Sequence, residues 1–510
     1  MKKIISNILI IISLLIIAFL ICMKSPNDIF SVGNAPSTDS SVFQYIGTSM
    51  AKGYIPYLEL FDHKGLLLYF INYIGISIST SAGIWLIEFA FMFVSLLSAY
   101  RLARKFASKP ISLLIVVIAF SQLYYYFEGG NLTEEYALPF LLISLNIFFD
   151  FFLNPIKYLN SKQKEKTKGL KLDFKLFNIP VCICGICCAC VLFLRANMIS
   201  VWIVFILMVL IYCIVQKKYI EIAKFAISFL TGILIVSIPM IIYLAKNGAL
   251  ESFVNAYILF NMKYSSHNTK TQRLTAFIHF FNTAITILAF IIIIMKIYNQ
   301  IKKKEQWYFN LGYFIYMLIT LALIGMPGNI YGHYGMVMIP ALIYPYCIMY
   351  QFLEEKEMKS KAINLIVTAY LLYTIIVPVG IEFTQDCIND IANRDKLYTD
   401  ELINYIVNNT TEDDTISVFG NLNYIYLLSN RKSASKYSYQ MPIGNMNEEI
   451  TKEYFAELKE NKPKLIIWAA SDFSSEGFLK MREKMDEFLE ENNYNLVQDG
   501  IRKIYSINGE

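Results

Sequence analysis

Residues 65–80 read Gly65-Leu-Leu-Leu-Tyr-Phe-Ile-Asn72-Tyr-Ile-Gly75-Ile-Ser-Ile-Ser-Thr80, and the placement of this run decides the fold of the whole chain. It is apolar but short for a membrane span, and it carries Asn72 and two glycines. If it crosses a bilayer, Arg101, Arg104, Lys105 and Lys109 land outside, with the lysine-rich stretch from Lys157 to Lys175 and the later basic loops behind them. If it lies along the outer interface, all of these clusters fall inside, as the bias of cytoplasmic loops toward Lys and Arg requires. The interfacial placement is therefore adopted.

Working outward, Met1–Met23 opens with Lys2 and Lys3 and continues as an apolar run with no small-x-small cleavage site, which predicts an uncleaved helix with its N-terminus inside. Further spans are expected at 84–100, 110–126, 136–153, 179–194, 199–215, 222–244, 276–298, 308–324, 336–352 and 362–380. With the first (4–23) they make about eleven transmembrane helices. Inside loops then hold Lys217 and Lys218, Lys302 to Lys304, and Lys356, Lys359 and Lys361. A chain that is 56% hydrophobic and 17% charged has the composition for this, and its basic residues sit between apolar runs, not on a surface fit for nucleic acid.

From about 381 onward charge rises and alternation replaces apolar runs. Helices are expected at 395–408, 448–460 and 477–491, strands at 415–419 and 465–469, and an edge strand at 501–507. The fold class is thus mostly α, a polytopic membrane domain over 1–380 with an outer loop at 24–83, followed by a small extracytoplasmic α/β domain over 381–510.

The outer loops hold the unusual polar residues. They comprise Asp39, Asp62, His63 and Lys64; Glu128, Asn131, Glu134 and Glu135; Arg195 and Asn197; Asn261 to His267; and Asn329, Tyr331, His333 and Tyr334. Loops so far apart in sequence can share one cleft at one membrane face. Five cysteines, Cys182, Cys184, Cys187, Cys188 and Cys190, crowd one span. Zinc is one reading of them, and packing by small polarizable side chains within an apolar helix is the other.

The loop pattern of Asp39, then Phe43, Tyr45, Gly47, Gly53, Tyr54, Pro56 and Tyr57, then Asp62-His63-Lys64 ahead of an interfacial helix, resembles the GT-C superfamily of glycosyltransferases that use polyprenyl-phosphate sugars. Within it the pattern is most similar to the protein O-mannosyltransferases and the lipid A aminoarabinose transferases, over about residues 1 to 380. Two motifs differ. Asp39-Ser40 stands where the O-mannosyltransferases have a carboxylate pair, and Lys64-Gly65-Leu66-Leu67 stands where the aminoarabinose transferases have Lys-Pro-Pro-Leu. The resemblance implies a bacterial plasma-membrane enzyme, with its N-terminus cytoplasmic and its C-terminal domain extracytoplasmic. Its partners would be a polyprenyl-phosphate-linked sugar donor and an envelope glycan, lipid or protein acceptor. The sugar and the acceptor stay open.

A sugar on a lipid phosphate already has a good leaving group. Its transfer to a hydroxyl needs a base and positive charge for the phosphate, but no second carboxyl acting as acid. Asp39 fits the base, with a sugar or metal ligand and a helix N-cap as alternatives. Lys64, Arg195 and His333 fit the donor phosphate. For Lys64 the alternative is snorkelling at headgroups, and a lone Arg195 between apolar runs calls for an anion. Asp62, His63, Asn131, Glu134, Glu135 and Tyr331 are candidates for binding sugar or a divalent cation, the one cofactor this set admits. Glu134 and Glu135 would also complement a helix dipole. A transporter or lipid flippase of envelope precursors has a similar number of spans, but would show internal repeats and ionisable residues at the midplane; no repeat is found, and Glu88 is the clearest acid within a span.

The charge pattern makes a topological prediction. Reporter fusions after Lys109, Lys168, Lys304 and Lys359 are expected to report the cytoplasm, and fusions within 127–134 or after 381 the outside. A cytoplasmic C-terminal domain overturns the eleven-span arrangement.

Overall fold

A computed structural model describes residues 2–27, 36–155, 177–355, 381, 385, 388, 400–469, 476–500 and 502–507. The membrane body contains α1 (Lys2–Cys22), α2 (Thr38–Ala51), α3 (Leu66–Ile78), α4 (Gly83–Ala103), α5 (Lys109–Phe120), α6 (Thr133–Leu153), α7 (Ile179–Leu192), α8 (Ser200–Val215), α9 (Tyr219–Lys246), α10 (Phe260–His267), α11 (Lys270–Phe281), α12 (Ala284–Lys302), α13 (Tyr308–Gly325) and α14 (Ile339–Glu355). Among the described residues, 8 helices are long and apolar enough to cross a membrane, and these correspond to eight of the expected spans. The expected spans at 179–194 and 199–215 are the shorter apolar helices α7 and α8. The one at 362–380 lies outside the described residues, as do Lys157 to Lys175 and the start of the expected C-terminal domain.

Two expectations are corrected. The run 276–298 is not one helix: α11 ends at Phe281 and α12 starts after Thr283, whose hydroxyl accepts from the Thr286 amide at 3.2 Å. This N-cap satisfies a free amide and so stabilises a break inside an apolar stretch. Asn261 to His267 is not a loop but helix α10, the end of a helical run that begins at Leu250 and passes through a π turn at Val254–Leu259.

Helix α3 is 13 residues long, about 20 Å at 1.5 Å per residue, too short to span, and it packs along α2. Gly47 permits that approach: a Cβ there would lie 2.8 Å from the Asn72 backbone. Helices α7 and α8, 14 and 16 residues, reach only about 21 and 24 Å. Both are shorter than a hydrocarbon layer of about 30 Å, and the turn between them carries Arg195. The loop ahead of α3 is laced to that turn, since the Gly65 amide donates to Leu194 O and the Leu67 amide to Phe193 O, each at 3.0 Å. Cys184, Cys187 and Cys188 of α7 pack in the apolar core, and all five cysteines of this helix are free thiols.

The C-terminal region folds as a five-stranded sheet of order β2-β1-β3-β5-β4, formed by Lys432–Ser433, Thr415–Phe419, Leu465–Trp468, Lys503–Ile507 and Tyr494–Asp499. The first three are parallel and β5 and β4 are antiparallel additions, with Ile467 opposite Ile504. Helices α15 (Asp400–Asn409), α16 (Tyr424–Ser429), α17 (Glu448–Asn461) and α18 (Glu476–Glu491) complete it. The strand expected at the edge is therefore internal: β4, polar along much of its length, takes the edge and leaves β5 paired on both sides. This region docks on the loop before α3. The Phe61 amide donates to Lys436 O at 2.8 Å, the Ser433 amide to the Tyr45 hydroxyl at 2.9 Å, and the Tyr45 and Tyr426 rings lie 5.0 Å apart.

A side chain at residue 65 would break the lacing, because its Cβ would stand 2.0 Å from Phe193 O. Gly65→Ala is expected to lower stability by about 1–3 kcal/mol, read as a drop in the thermal midpoint of the detergent-solubilised protein. Gly500→Ala, whose nearest neighbour would be 3.6 Å away, serves as the neutral control.

Candidate active site

The turn at residues 54–65 is built on buried tyrosines. Tyr57 sits at φ 69° and donates its hydroxyl to Lys64 O at 2.8 Å. Tyr69, from α3, donates to Asp62 Oδ2 at 2.8 Å, and Tyr439, from the C-terminal region, donates to Asp62 Oδ1 at 2.6 Å. Asp62 is 1% exposed. Burial works to raise its pKa, but His63, Lys64 and the two hydroxyls outweigh burial and hold the carboxyl below its usual range. Burial, with Lys64 beside it, brings His63 down to about 3 in spite of Asp62. The ring is therefore neutral at ordinary pH. Its Nε2 accepts from the Lys64 ammonium at 3.0 Å and its Nδ1–H faces Asp62 Oδ1 at 3.3 Å. Asn261 of α10 fixes the turn further by donating to His63 O at 2.7 Å.

Arg195 pairs with Glu134 of α6, and its guanidinium lies 3.9 Å over the Tyr334 ring. Thr133 donates to the other oxygen of Glu134 at 2.7 Å. The anion that Arg195 needs is thus supplied from within the protein, which corrects the expectation of a lone guanidinium. His333 Nδ1 lies 2.6 Å from Glu128 Oε2, and the Gly332 amide donates to Glu128 Oε1 at 2.7 Å. Burial raises Glu128, and the bonds and charge from His333 overcome it, leaving the carboxyl below its ordinary value. Tyr331 stacks on His333 with centroids 5.8 Å apart.

These groups surround a cleft with two chambers. The first, about 430 Å³, is lined by Asp39, Asp62, His63, Lys64, Glu128, Tyr331 and His333, with Asn421, Tyr439 and Pro442 of the C-terminal region as its far wall. The second, about 520 Å³ and more apolar, is lined by Arg195, Asn197, Ile199, Ile203, Tyr257 and Met326. His63, Lys64, Tyr264 and Tyr334 line both. Asp39 lies in the first turn of α2, with Ser37, not Asp39, at the N-cap, and its carboxylate makes no hydrogen bond or ion pair among the described residues. Lys64 likewise has no carboxylate partner among the described residues. No group of three or more His, Cys, Asp or Glu converges to hold a metal ion among the described residues.

Asn131 and Glu135 do not reach the cleft, which corrects their expected role as ligands. Asn131, with φ 55° and no exposed surface, exchanges hydrogen bonds with Asn72, donates to Ser40 at 2.9 Å and accepts from Tyr136 at 2.8 Å. Glu135 accepts from the Asn131 amide at 2.9 Å. Together they anchor α2 to α3 and α6 beneath the site. Glu88 is fully buried nearby and accepts from Ser25 at 3.0 Å.

Residues 1–365 match the family model described as "Putative competence-induced protein Ccs4 N-terminal domain". The chain belongs to the Ccs4 family. No curated protein matches it in sequence. Among solved structures, this Ccs4-family chain is similar to ArnT from Cupriavidus metallidurans in the apo state, at TM-score 0.59 and 9% identity over 99% of each chain. It is equally similar, at TM-score 0.59 and 8% identity over 98% of this chain and 97% of the other, to the same protein bound to undecaprenyl phosphate. The archaeal oligosaccharyltransferase AglB from Archaeoglobus fulgidus follows at TM-score 0.44 and 12% identity, over 90% of this chain and 69% of that one. This chain thus shares the fold of the ArnT structures over nearly its whole length.

Sequence reasoning did not assign Glu128, Tyr264 or Tyr439 to the site. Glu128 stood among the outer polar residues, and its spacing from His333 gave no sign of their pairing. Tyr439 lies in the C-terminal region, more than three hundred residues from Asp62, with no local motif around it.

The neutral, partly exposed His63 makes stability depend on acidity. Between pH 6.5 and about 3 the unfolded chain binds a proton there and the folded chain does not, so stability falls as pH falls through that window. The depressed Asp62 adds a loss of the same sign at lower pH. His63→Gln is expected to flatten the slope of thermal midpoint against pH between 6.5 and 3; an unchanged slope refutes the assignment.

Proposed function

We propose that this Ccs4-family protein is a membrane glycosyltransferase that moves a sugar from a polyprenyl phosphate to an envelope acceptor on the outer face of the bacterial plasma membrane. The observation that carries the reading is the pairing pattern of the cleft. Arg195 is matched by Glu134, His333 by Glu128, and Asp62 by two tyrosines and His63, whereas in the same chamber Asp39 has no hydrogen bond or ion pair and Lys64, bonded to the His63 ring, has no carboxylate ion pair among the described residues. A base with free oxygens and a cation with no carboxylate bound to it are what attack by a hydroxyl on a lipid-phosphate sugar requires.

On this reading the donor phosphate sits at Lys64 and Arg195, with His333 behind, where the two chambers meet. Asp39 takes the proton of an acceptor hydroxyl; that oxygen bonds to the anomeric carbon as the bond from this carbon to the phosphate oxygen breaks. The electron pair leaves with the polyprenyl phosphate, and the product is inverted. Tyr331, Asp62 and His63 border the space left for the sugar, and Glu134 holds Arg195 in place. The lipid ligand of ArnT supports the choice of donor class. The transporter reading has no comparable observation, since Glu88 is enclosed.

The purified protein in nanodiscs tests this with a lipid-phosphate sugar and envelope extract. Asp39→Asn is expected to lose about 10²–10⁴ in turnover while still binding donor. Arg195→Ala is expected to weaken donor binding, and Arg195→Lys to restore it only in part, because the planar fork over Tyr334 and beside Glu134 is lost. Chelation leaves turnover unchanged if the protein cations carry the phosphate alone; loss of turnover puts a divalent cation at the donor. An Asp39→Asn protein with most of its activity, or a product that retains the donor configuration, refutes the mechanism.

A further inference from the structure

Both oxygens of Glu128 are committed to the loop ahead of α14, Oε1 to the Gly332 amide at 2.7 Å and Oε2 to His333 Nδ1 at 2.6 Å. A Cβ at Gly332 would stand 2.5 Å from Oε1 and displace the carboxylate. Behind Glu128, Gly129 turns at φ 81° against Ser37, where its own Cβ would lie 2.9 Å from that of Ser37, so the clamp is seated beside the start of α2, the helix that bears Asp39. With Nδ1 taken by the carboxylate, Nε2 is the ring nitrogen left without a hydrogen-bond partner among the described residues, and the ring borders the polar chamber. Tyr334, which lines both chambers, meets this ring at 88° with centroids 4.8 Å apart and carries Arg195 3.9 Å over its own face. His333 therefore stands next to the boundary between the chambers, where the donor phosphate is placed.

Transfer changes the charge at that boundary. A sugar on a lipid phosphate is a phosphodiester with one negative charge, which Lys64 matches, since it has no carboxylate ion pair among the described residues. Breaking the bond to the anomeric carbon leaves a phosphomonoester of about −1.5 to −2 at pH 7, so a second negative charge develops only as that bond breaks. A cation that meets this charge lowers the barrier without tightening the donor complex. Arg195 is bound to Glu134, whose side chain is 2% exposed, so part of its charge is answered inside the protein. The Glu128 side chain is 46% exposed and that of His333 7%, so water screens the carboxylate more than the ring it holds. The other charged groups facing His333 are Arg195 and Glu134, across Tyr334.

We infer that Glu128 is a positioning residue that holds the His333 imidazolium with its Nε2–H on the departing phosphate oxygen, where it meets the charge that appears in transfer. This rests on the proposed donor class and names the group that answers its leaving half. The acceptor proton goes to Asp39, the electron pair of the broken carbon–oxygen bond goes to the phosphate oxygen, and the Nε2 proton stays on nitrogen as a hydrogen bond to that oxygen. The ring takes its second proton from water and is in the same state before and after transfer.

The test measures binding of two lipids that differ by one charge, undecaprenyl phosphate and its methyl diester, to the full chain in nanodiscs without any sugar. At pH 7 the wild-type protein is expected to bind the monoester at least about tenfold more tightly, the scale of one hydrogen bond to a charged group. Glu128→Gln, and separately His333→Gln, is expected to remove most of that preference by weakening the monoester more than the diester; the diester binding that remains shows that the variant is folded. The wild-type preference is expected to fade below about pH 6, where the monoester takes up its second proton. Equal wild-type affinity for the two lipids, or variants that keep the preference or lose both lipids alike, overturns the inference and leaves the donor reading intact. A wild-type preference undiminished well below the second phosphate pKa of about 6 is not recognition of charge and overturns it as well. Binding of neither lipid by the wild-type protein overturns the donor reading itself.

Discussion

One buried carboxylate ties the two parts of this protein together. Removing Asp62 from water is costly unless its lone pairs are met, and they are met from both sides of a domain junction, by Tyr69 of the membrane body and Tyr439 of the C-terminal region. Neither tyrosine alone satisfies both oxygens. Docking of the C-terminal region therefore completes the electrostatics of the turn, and only with that turn in place are His63 and Lys64 held at the shared boundary of the two chambers. The backbone lacing of Gly65 to Leu194 then fixes this boundary relative to the turn that bears Arg195.

Charge neutralisation inside the cleft is selective, and this is its chemical content. In a water-poor site an unpaired charge is destabilising, so each internal pair marks a charge devoted to holding geometry. Arg195 has Glu134 for that purpose, and Tyr334 beneath its plane limits where the guanidinium can point. Asp39 avoids the cost differently: it lies half-buried in the first turn of α2, where the helix dipole favours a negative charge without occupying its oxygens. The buried Ser40–Asn131–Asn72 bonds directly below hold that turn in place, so the residues that missed the cleft still determine where its base stands.

Much of the membrane body was legible because apolar length and the distribution of lysines act through bulk physics. The interfacial run at 65–80 was read from loop charge alone and is a short helix packed on α2. The break at Asn282 and Thr283 was missed because a hydrogen-bonded cap can interrupt a run whose hydropathy does not change. Helix α10 was missed for the opposite reason: Asn261 to His267 is polar, and its helicity comes from packing of Phe260 and Tyr264 against His63. In the site, several of the polar residues singled out from the sequence line one cleft, but their partners were not legible. Pairing such as His333 with Glu128, or Asn131 with Asn72, depends on tertiary contact between segments with no common spacing, and no single sequence displays that.

The distribution of the cleft along the chain carries one more consequence. The family match ends at residue 365, and it contains Asp39, Lys64 and Arg195. Asn421, Tyr439 and Pro442, which close the polar chamber opposite these residues, lie beyond it. On the proposed reading, the base and the phosphate cations belong to the family domain, and the wall that an incoming acceptor meets belongs to the region that follows. Tyr439 stands at the junction, bonding Asp62 while facing the chamber with Asp39. A change in the C-terminal wall can thus alter which hydroxyl reaches Asp39 without disturbing the donor, provided the bond from residue 439 to Asp62 is kept. That bond couples the two recognitions, because a buried carboxylate left without it would loosen the turn that carries Lys64.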